Sequence, residues 1–227
     1  MPDGDADCPM AHMANKEKIK QIREQYTDVA VVCYVNSSAE LKALSDVCVT
    51  SANALTIVKA LPNENIFFIP DQNLARYIAE QLPEKRFIFN KGYCPVHHNI
   101  TAEQIIQVKD EHPNAFILVH PECKPEVVAL SDYAGSTSGI IKYASDSEND
   151  EFIIVTELGV MSELKQRNPH KQFYSVGDLM ICEGMKKITL DKIIHVLETE
   201  ESTIMMDEVL MKKAREPMIR MLELSNK

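Results

Sequence analysis

An internal repeat constrains the fold of this chain more than any other feature of its sequence. Cys8 and Cys94 lie 86 residues apart, and equal distances from each cysteine lead to similar residues without a gap. Ile19 and Ile105 both stand 11 residues on, and the sequence ALSD at 43–46 recurs at 129–132. Self-similarity at a fixed period is typical of a chain built from repeated structural units.

A third copy begins at Cys182, which lies 88 residues beyond Cys94. Ile193 and Val196 again stand 11 and 14 residues on, and the sequence TIMMDE at 203–208 falls where the repeat predicts a strand. The two additional residues are expected in the loop between Phe173 and Cys182. The third copy is shorter than the other two.

Within each copy, helical segments alternate with short β-rich runs. The helical patterns at 15–26 and 101–112 precede VAVVCYV and AFILVH, and further helices and apolar runs follow. This alternation predicts an α/β fold with mainly parallel sheets covered by helices. We expect repeated three-layer αβα units about a pseudo-threefold axis, two complete and a third partial.

The repeat also predicts the domain organisation. A strand and a helix that should precede Cys8 are missing, so residues 1–14 are interpreted as the remnant of a truncated first domain. The predicted segments are that remnant, α/β units at 15–93 and 94–181, and a C-terminal partial unit at 182–227. The last segment should pack on the missing domain and leave Met211, Met218 and Leu222 partly exposed.

Composition excludes several classes of protein. The 227 residues are 45% hydrophobic and carry a net charge of −10, with no cluster of Lys and Arg, so a nucleic-acid or membrane-binding surface is not expected. No apolar run reaches the length of a spanning helix, and the first residues do not resemble a secretory signal. A cytoplasmic location is therefore expected, in which the six cysteines serve as thiols or metal ligands.

Three of the cysteines occupy equivalent positions in the repeat, namely Cys8, Cys94 and Cys182. Three thiolates that are distant in sequence suit an iron–sulfur cluster better than zinc, whose structural sites take two ligands from one short loop. Three ligands leave one iron of a four-iron cluster open, and an open iron can act as a Lewis acid. Buried structural thiols are the alternative, but the other cysteines show no such equivalence.

The histidines beside Cys94 have no counterparts in the other copies. His97 and His98 are therefore interpreted as exposed residues at a helix entrance. A zinc-binding structural module that uses Cys94 with these histidines is the alternative.

Polar residues also recur at the ends of the predicted strands. Tyr34 and His120 end equivalent strands, where open α/β sheets bind ligands. Ser51 and Thr137 stand before helices, where they either cap the helix or help to bind phosphate or carboxylate. Asp71 and Glu157 are equivalent as well, and their role stays open.

Five stretches together resemble the quinolinate synthase family. They are YVNSSAELKALSDVCVTSANA, GYCPVHH, VHPECKPEVVALSDYAGSTSGIIKY, VTELG and ICEGMKKITLDKI, and the resemblance extends from Cys8 to the C-terminus. It implies three similar α/β domains around a 4Fe–4S cluster and a transferase of NAD biosynthesis. The implied reaction condenses iminosuccinate with dihydroxyacetone phosphate, with loss of phosphate and water, to quinolinate. Aspartate oxidase or aspartate dehydrogenase is the implied source of iminosuccinate.

The resemblance also implies roles for single residues. The implied cluster ligands are Cys8, Cys94 and Cys182, and the implied catalytic residues are Tyr34, His120 and Glu122. The implied substrate-binding residues are Tyr34, Val35, Asn36, Ser51, His120, Pro121, Glu122 and Thr137. This chain departs from the family where CEGMKKI replaces the usual CPNMKKI, and in lacking the family's first domain before Cys8. A truncated, catalytically inactive fragment is therefore the alternative to an active enzyme.

Overall fold

A computed structural model describes residues 1–177 and 180–225 of the chain. The first unit consists of α1 (Lys16–Gln25), β1 (Val29–Tyr34), α2 (Ala39–Lys42), β2 (Val47–Val49), α3 (Ala54–Ala60), β3 (Asn65–Ile69), α4 (Gln72–Gln81) and β4 (Arg86–Phe89). A 3-10 turn, Pro9–His12, precedes it.

The second unit repeats this order of elements. It consists of α5 (Pro95–His98), α6 (Ala102–Glu111), β5 (Phe116–Val119), α7 (Pro125–Val128), β6 (Tyr133–Ala134), α8 (Thr137–Asp146), β7 (Glu151–Val155), α9 (Val160–Arg167) and β8 (Gln172–Ser175). The C-terminal part consists of α10 (Glu183–Lys186), α11 (Leu190–Thr199) and α12 (Glu208–Ser225).

Each complete unit contains a four-stranded parallel sheet. The strand orders are β2-β1-β3-β4 and β6-β5-β7-β8, so the same crossover pattern occurs twice. The register repeats too, because Val32 lies beside Val47 and Leu118 lies beside Tyr133. All six residues of β1 are buried, as expected of a strand with helices on both faces. The predicted α/β class and its repeated αβα units are confirmed.

The repeat extends to single hydrogen bonds. The repeated ALSD motif ends in Asp46 in the first unit and in Asp132 in the second. Asp46 Oδ2 accepts the Val31 N–H at 2.7 Å, and Asp132 Oδ2 accepts the Ile117 N–H at the same distance. The repeated aspartate thus ties the start of one strand to its neighbouring strand in both sheets.

The C-terminal part departs from the repeat. Residues 203–208 form no strand within the described chain, so the strand predicted for TIMMDE is wrong. A strand needs a neighbour for its backbone N–H and C=O groups, and β1 and β5 each have two such neighbours. Ile204 and Met205 instead lie exposed.

Helix α12 packs with one face on the first unit, against α2, β2 and α3. Ala214, Pro217 and Met221 are buried there, and the Arg220 guanidinium donates to the Asp46 carbonyl at 3.3 Å. The other face carries Met211, Met218 and Leu222, whose predicted exposure is confirmed. The predicted domain boundaries remain predictions. No described helix is long and apolar enough to cross a membrane.

Candidate functional site

The three equivalent cysteines have the same local structure. Each lies in an extended conformation directly before a short helix, with φ of −106° at Cys8, −78° at Cys94 and −90° at Cys182. Proline follows the first two, and a residue before proline is restricted to extended conformations. All three are free, half-buried thiols, whereas the remaining cysteines are buried in the cores.

The thiols share an acidic neighbourhood. Burial raises the pKa of Cys8, and the nearby Glu122 carboxylate and Cys182 thiol raise this pKa further. Burial and the charge of Glu122 also raise the pKa of Cys94. Cys8 and Cys94 both lie near the Glu122 carboxylate, and Cys182 lies near Cys8, so ionising the Cys8 and Cys94 thiols would be costly without a cation. This donor set therefore fits an iron–sulfur cluster, whose irons favour thiolate ligands.

His97 belongs to this site, so its interpretation as an exposed bystander is wrong. The imidazole is buried, and its Nδ1 lies 3.2 Å from Cys94 Sγ and 3.1 Å from Glu122 Oε2. Its Nε2 lies 3.1 Å from Thr156 Oγ1, and its ring stacks on His120 with centroids 4.5 Å apart. The single turn of α5 carries His97 inward, because residues i and i+3 of a helix lie on one face.

His98 points elsewhere. Its ring stacks on Tyr93 with centroids 4.2 Å apart, and its Nδ1 lies 3.0 Å from Asn73 Nδ2. The same Asn73 amide donates to the Glu122 carbonyl at 2.9 Å. His98 therefore helps to join the two units and does not contact the thiols.

His120 follows β5 and is almost fully buried. The Glu122 backbone N–H donates to its Nδ1 at 3.3 Å, which leaves the ring proton on Nε2. Burial lowers the pKa of His120 to about 4, against the stabilising charge of Glu122. At neutral pH this residue is therefore an uncharged imidazole that can donate a hydrogen bond from Nε2.

Glu122 has one oxygen without a partner. Its Oε2 lies 3.1 Å from His97 Nδ1, but its buried Oε1 has no hydrogen-bond partner within the described residues. Burial has the largest single effect and opposes ionisation of this carboxyl, but the hydrogen bond from His97 and the nearby His120 and Tyr34 side chains together outweigh burial and lower the pKa below its usual range. An unsatisfied buried carboxylate oxygen requires an explanation, and a bound ligand that donates a proton to it is one.

Tyr34 ends β1 beside Glu122. Burial raises its pKa, and the charge of Glu122 raises it further, while the nearby Ser51 acts in the opposite direction. Tyr34 thus keeps its proton at neutral pH. Of the other predicted substrate-binding residues, Pro121 is buried, Val35 is half-buried and Asn36 is exposed.

A cavity of about 520 Å³ lies between the two complete units. Two equivalent loops line it with hydroxyls, among them those of Ser51 and Thr137. Ser136, not Thr137, caps α8, because its Oγ accepts the Gly139 N–H at 3.2 Å. The Ser51 hydroxyl lies beside the Tyr34 side chain, whose pKa it lowers, and the Thr137 side chain makes no hydrogen bond within the described part of the chain, so both hydroxyls could also bind an anion in the cavity.

Sequence reasoning missed His97 and Thr156 as members of the site. The Cys94–His97 spacing of three residues on a short helix was the available signal. Thr156 offered none, because its importance depends on a contact with His97, 59 residues away.

Comparison with known proteins gives a consistent result. The family model described as Quinolinate synthetase A protein matches residues 1–223. A quinolinate synthase of Clostridioides difficile is 48% identical over 99% of this chain and 74% of its own length. One from Fusobacterium nucleatum is 50% identical over 99% of the chain and 75% of its length. A quinolinate synthase 2 of Methanosarcina acetivorans is 43% identical over 99% of the chain and 72% of its length.

Proposed function

We propose that this chain, which belongs to the quinolinate synthase family, forms quinolinate from iminosuccinate and dihydroxyacetone phosphate when it is combined with the upstream unit that the family resemblance implies. The observation that carries the proposal is Glu122, whose unsatisfied oxygen is buried beside the equivalent cysteines. The proposal includes a cytoplasmic location and an aspartate oxidase or aspartate dehydrogenase as the source of iminosuccinate.

Cys8, Cys94 and Cys182 would hold a 4Fe–4S cluster. When bound, such a cluster with one open iron supplies Lewis-acid chemistry that assists loss of a hydroxyl as water. The three thiols are half-buried, so a cluster bound to them would stay accessible to substrates from solvent.

The chain's own residues would bind and orient the two substrates. Ser51 and Thr137 would donate hydrogen bonds to phosphate or carboxylate oxygens in the cavity between the units. Asn36 and the backbone of Val35 would contact the same substrates, with Pro121 holding the turn between His120 and Glu122. Holding both reactants in one orientation removes much of the entropic barrier to their condensation.

Three side chains would handle protons. Neutral His120 would donate its Nε2–H to a substrate carbonyl oxygen and polarise it. The Glu122 carboxylate would accept a proton at Oε1, while His97 and Thr156 hold it in position through Oε2. Tyr34 would donate a proton to a leaving hydroxyl, since it lies beside Glu122 and its raised pKa keeps it protonated at neutral pH.

Quinolinate formation tests this proposal. The iron-loaded chain would receive both substrates under anaerobic conditions, and product would be measured by mass spectrometry. We expect a negligible rate from the 227 residues alone, because one wall of the substrate pocket would come from the upstream unit that the family resemblance implies. Addition of that unit from a relative should produce quinolinate, and Glu122→Gln should abolish it.

The contrary results are equally clear. Robust turnover by the isolated chain would refute the need for the upstream unit. No quinolinate in either mixture, with iron bound, would refute the proposed reaction.

A second candidate function rests on the group Cys94, His97 and Glu122. One ligand atom of each lies within 4.8 Å of the others, and the His97 Nε2 has the hydrogen-bonded partner that metal-binding histidines usually have. A zinc-binding structural module would use these three residues alone. The zinc and sulfide contents of the purified chain would distinguish this function from a cluster. Bound zinc without sulfide, at a content that Cys8→Ser and Cys182→Ser do not change, would favour the zinc-binding module.

A further inference from the structure

Asp71 and Glu157 occupy equivalent positions, 86 residues apart, and each lies two residues beyond the end of a strand. The Asp71 carboxylate accepts the Leu74 N–H at Oδ1, at 2.7 Å, and the Cys94 N–H at Oδ2, at 3.0 Å. Asp71 is completely buried. One of its oxygens therefore caps α4, while the other holds a predicted cluster ligand.

Glu157 makes the corresponding pair of bonds in the second unit. Its Oε2 accepts the Gly159 N–H at 2.7 Å, and its Oε1 accepts the Cys182 N–H at 3.4 Å. The Lys186 ammonium also contacts Oε1, at 2.9 Å. Each carboxylate thus connects the beginning of a helix to the backbone of the next cysteine.

A backbone bond accompanies each carboxylate. Gln72 N donates to Gly92 O at 2.8 Å, and Leu158 N donates to Met180 O at 2.9 Å. In both units this bond joins the residue after the carboxylate to the residue two positions before the cysteine. The second loop has two additional residues, yet it makes the same contacts. Conservation of this contact set across loops of different length indicates that the contacts, not the loop length, place the cysteines.

The first cysteine follows the same chemistry with a local partner. Cys8 N donates to Asp7 Oδ1 at 2.8 Å. All three cysteine amides therefore donate to carboxylates, which fixes the orientation of the backbone at each cysteine.

We propose that Asp71 and Glu157 are positioning residues that hold Cys94 and Cys182 in the geometry of three-point cluster binding. The inference rests on the proposed cluster. We call the hydrogen bonds from the Cys94 and Cys182 N–H groups to Asp71 and Glu157 the carboxylate clamp of these two ligands. Outer partners of this kind commonly govern how well a metal site retains its metal.

An isosteric substitution separates this role from simple helix capping. Asparagine caps a helix as well as aspartate does, so Asp71→Asn would be neutral if capping were its only role. An asparagine has a single acceptor oxygen, however, so its NH2 group would face one of the two N–H donors that now bond different oxygens of Asp71. Glu157→Gln likewise leaves a single acceptor oxygen for the Gly159 and Cys182 N–H groups, and it also removes the ionic contact with Lys186. Asp132→Asn is the matched control, since Asp132 accepts a backbone N–H in the sheet.

The first measurement is amide hydrogen exchange of Cys94 and Cys182 in the metal-free, reduced chain, by NMR. We expect Asp71→Asn to accelerate exchange at Cys94 by about tenfold, the factor for leaving one buried N–H without an acceptor. Glu157→Gln should do the same at Cys182, and Asp132→Asn should change neither. The second measurement is the fraction of iron that each reconstituted variant retains in the presence of a chelator. Both clamp variants should lose iron faster than the control.

Unchanged exchange at both cysteines, or iron loss equal to that of Asp132→Asn, would overturn the clamp. A wild-type chain that takes up no iron would instead refute the proposed cluster. The exchange rates would still decide whether the carboxylates hold the cysteines.

Discussion

Burial controls the charge of His120, and this has a measurable consequence for stability. The folded pKa of about 4 lies below the ordinary value of 6.5. The unfolded chain therefore binds more protons than the folded chain between these pH values, so stability is complete above pH 6.5 and falls as the pH approaches 4. We expect about 2 kcal/mol of the free energy of unfolding to be lost between pH 7.5 and pH 5 through this residue. Urea unfolding of wild type and His120→Gln should show the loss as the difference between their pH dependences. Parallel curves would mean that His120 is not kept neutral.

The hydroxyls of the cavity offer a second test at the scale of single residues. Ser51→Ala and Thr137→Ala should each weaken binding of quinolinate by about 1–3 kcal/mol in the iron-loaded protein with its upstream unit, because each removes a donor to an anionic oxygen. Calorimetric titration would measure the change. Ser131→Ala is the control, since the Ser131 hydroxyl is bonded to the Val128 carbonyl. Unaltered affinity in both cavity variants would show that these hydroxyls do not bind the ligand.

Equivalence within the repeat identified some residues of the site and concealed others. The cysteines, Tyr34 and His120 could be predicted as candidate site residues, because the cysteines recur in the repeat and Tyr34 and His120 occupy equivalent positions at strand ends. His97 could not, because Ala11 and Met185 stand at its equivalent positions. A single reaction centre between similar units uses side chains with different chemical roles. Such side chains therefore differ from one unit to the next and do not show up in the repeat. The orphan oxygen of Glu122 depends on burial, which sequence does not show.

Helices and strands could be predicted from the sequence where the chain also contains the neighbouring strands and helices that they pair with or pack against. The helices and strands of both complete units follow from apolar periodicity and the repeat, and their sheets satisfy each other's backbone groups. The strand expected at 203–208 fails on the same physical ground, since no neighbouring strand borders it in the described residues. The packing of α12 on the first unit could not be predicted, because its apolar pattern does not specify which surface it covers.

The packing of α12 can be tested with a pair of methionines. Met221 is buried against the first unit, while Met211 is 54% exposed on the same helix. Met221→Ala should lower the free energy of unfolding by about 2 kcal/mol, and Met211→Ala by no more than about 0.5 kcal/mol. Urea denaturation of both variants would measure these values. Equal losses would indicate that α12 does not dock as described.

At the scale of the whole molecule, the chain spans about three quarters of the length of its curated relatives. Its two complete units border an open cavity that carries several hydroxyls, and the loops of Cys8 and Cys94 both approach Glu122. Apolar side chains of α11, including Leu190 and Leu197, are exposed. Exposed apolar surface of this kind is typical of a face that another unit covers.

The central claim is that Cys8, Cys94 and Cys182 together hold one iron–sulfur cluster. Iron and sulfide per chain, measured after anaerobic reconstitution, test it most directly. The account predicts about four of each in the wild type, and loss of both in Cys8→Ser, Cys94→Ser and Cys182→Ser. Cys33→Ser and Cys48→Ser, checked for folding by circular dichroism, should retain them. Equal iron contents in all five variants would contradict the account.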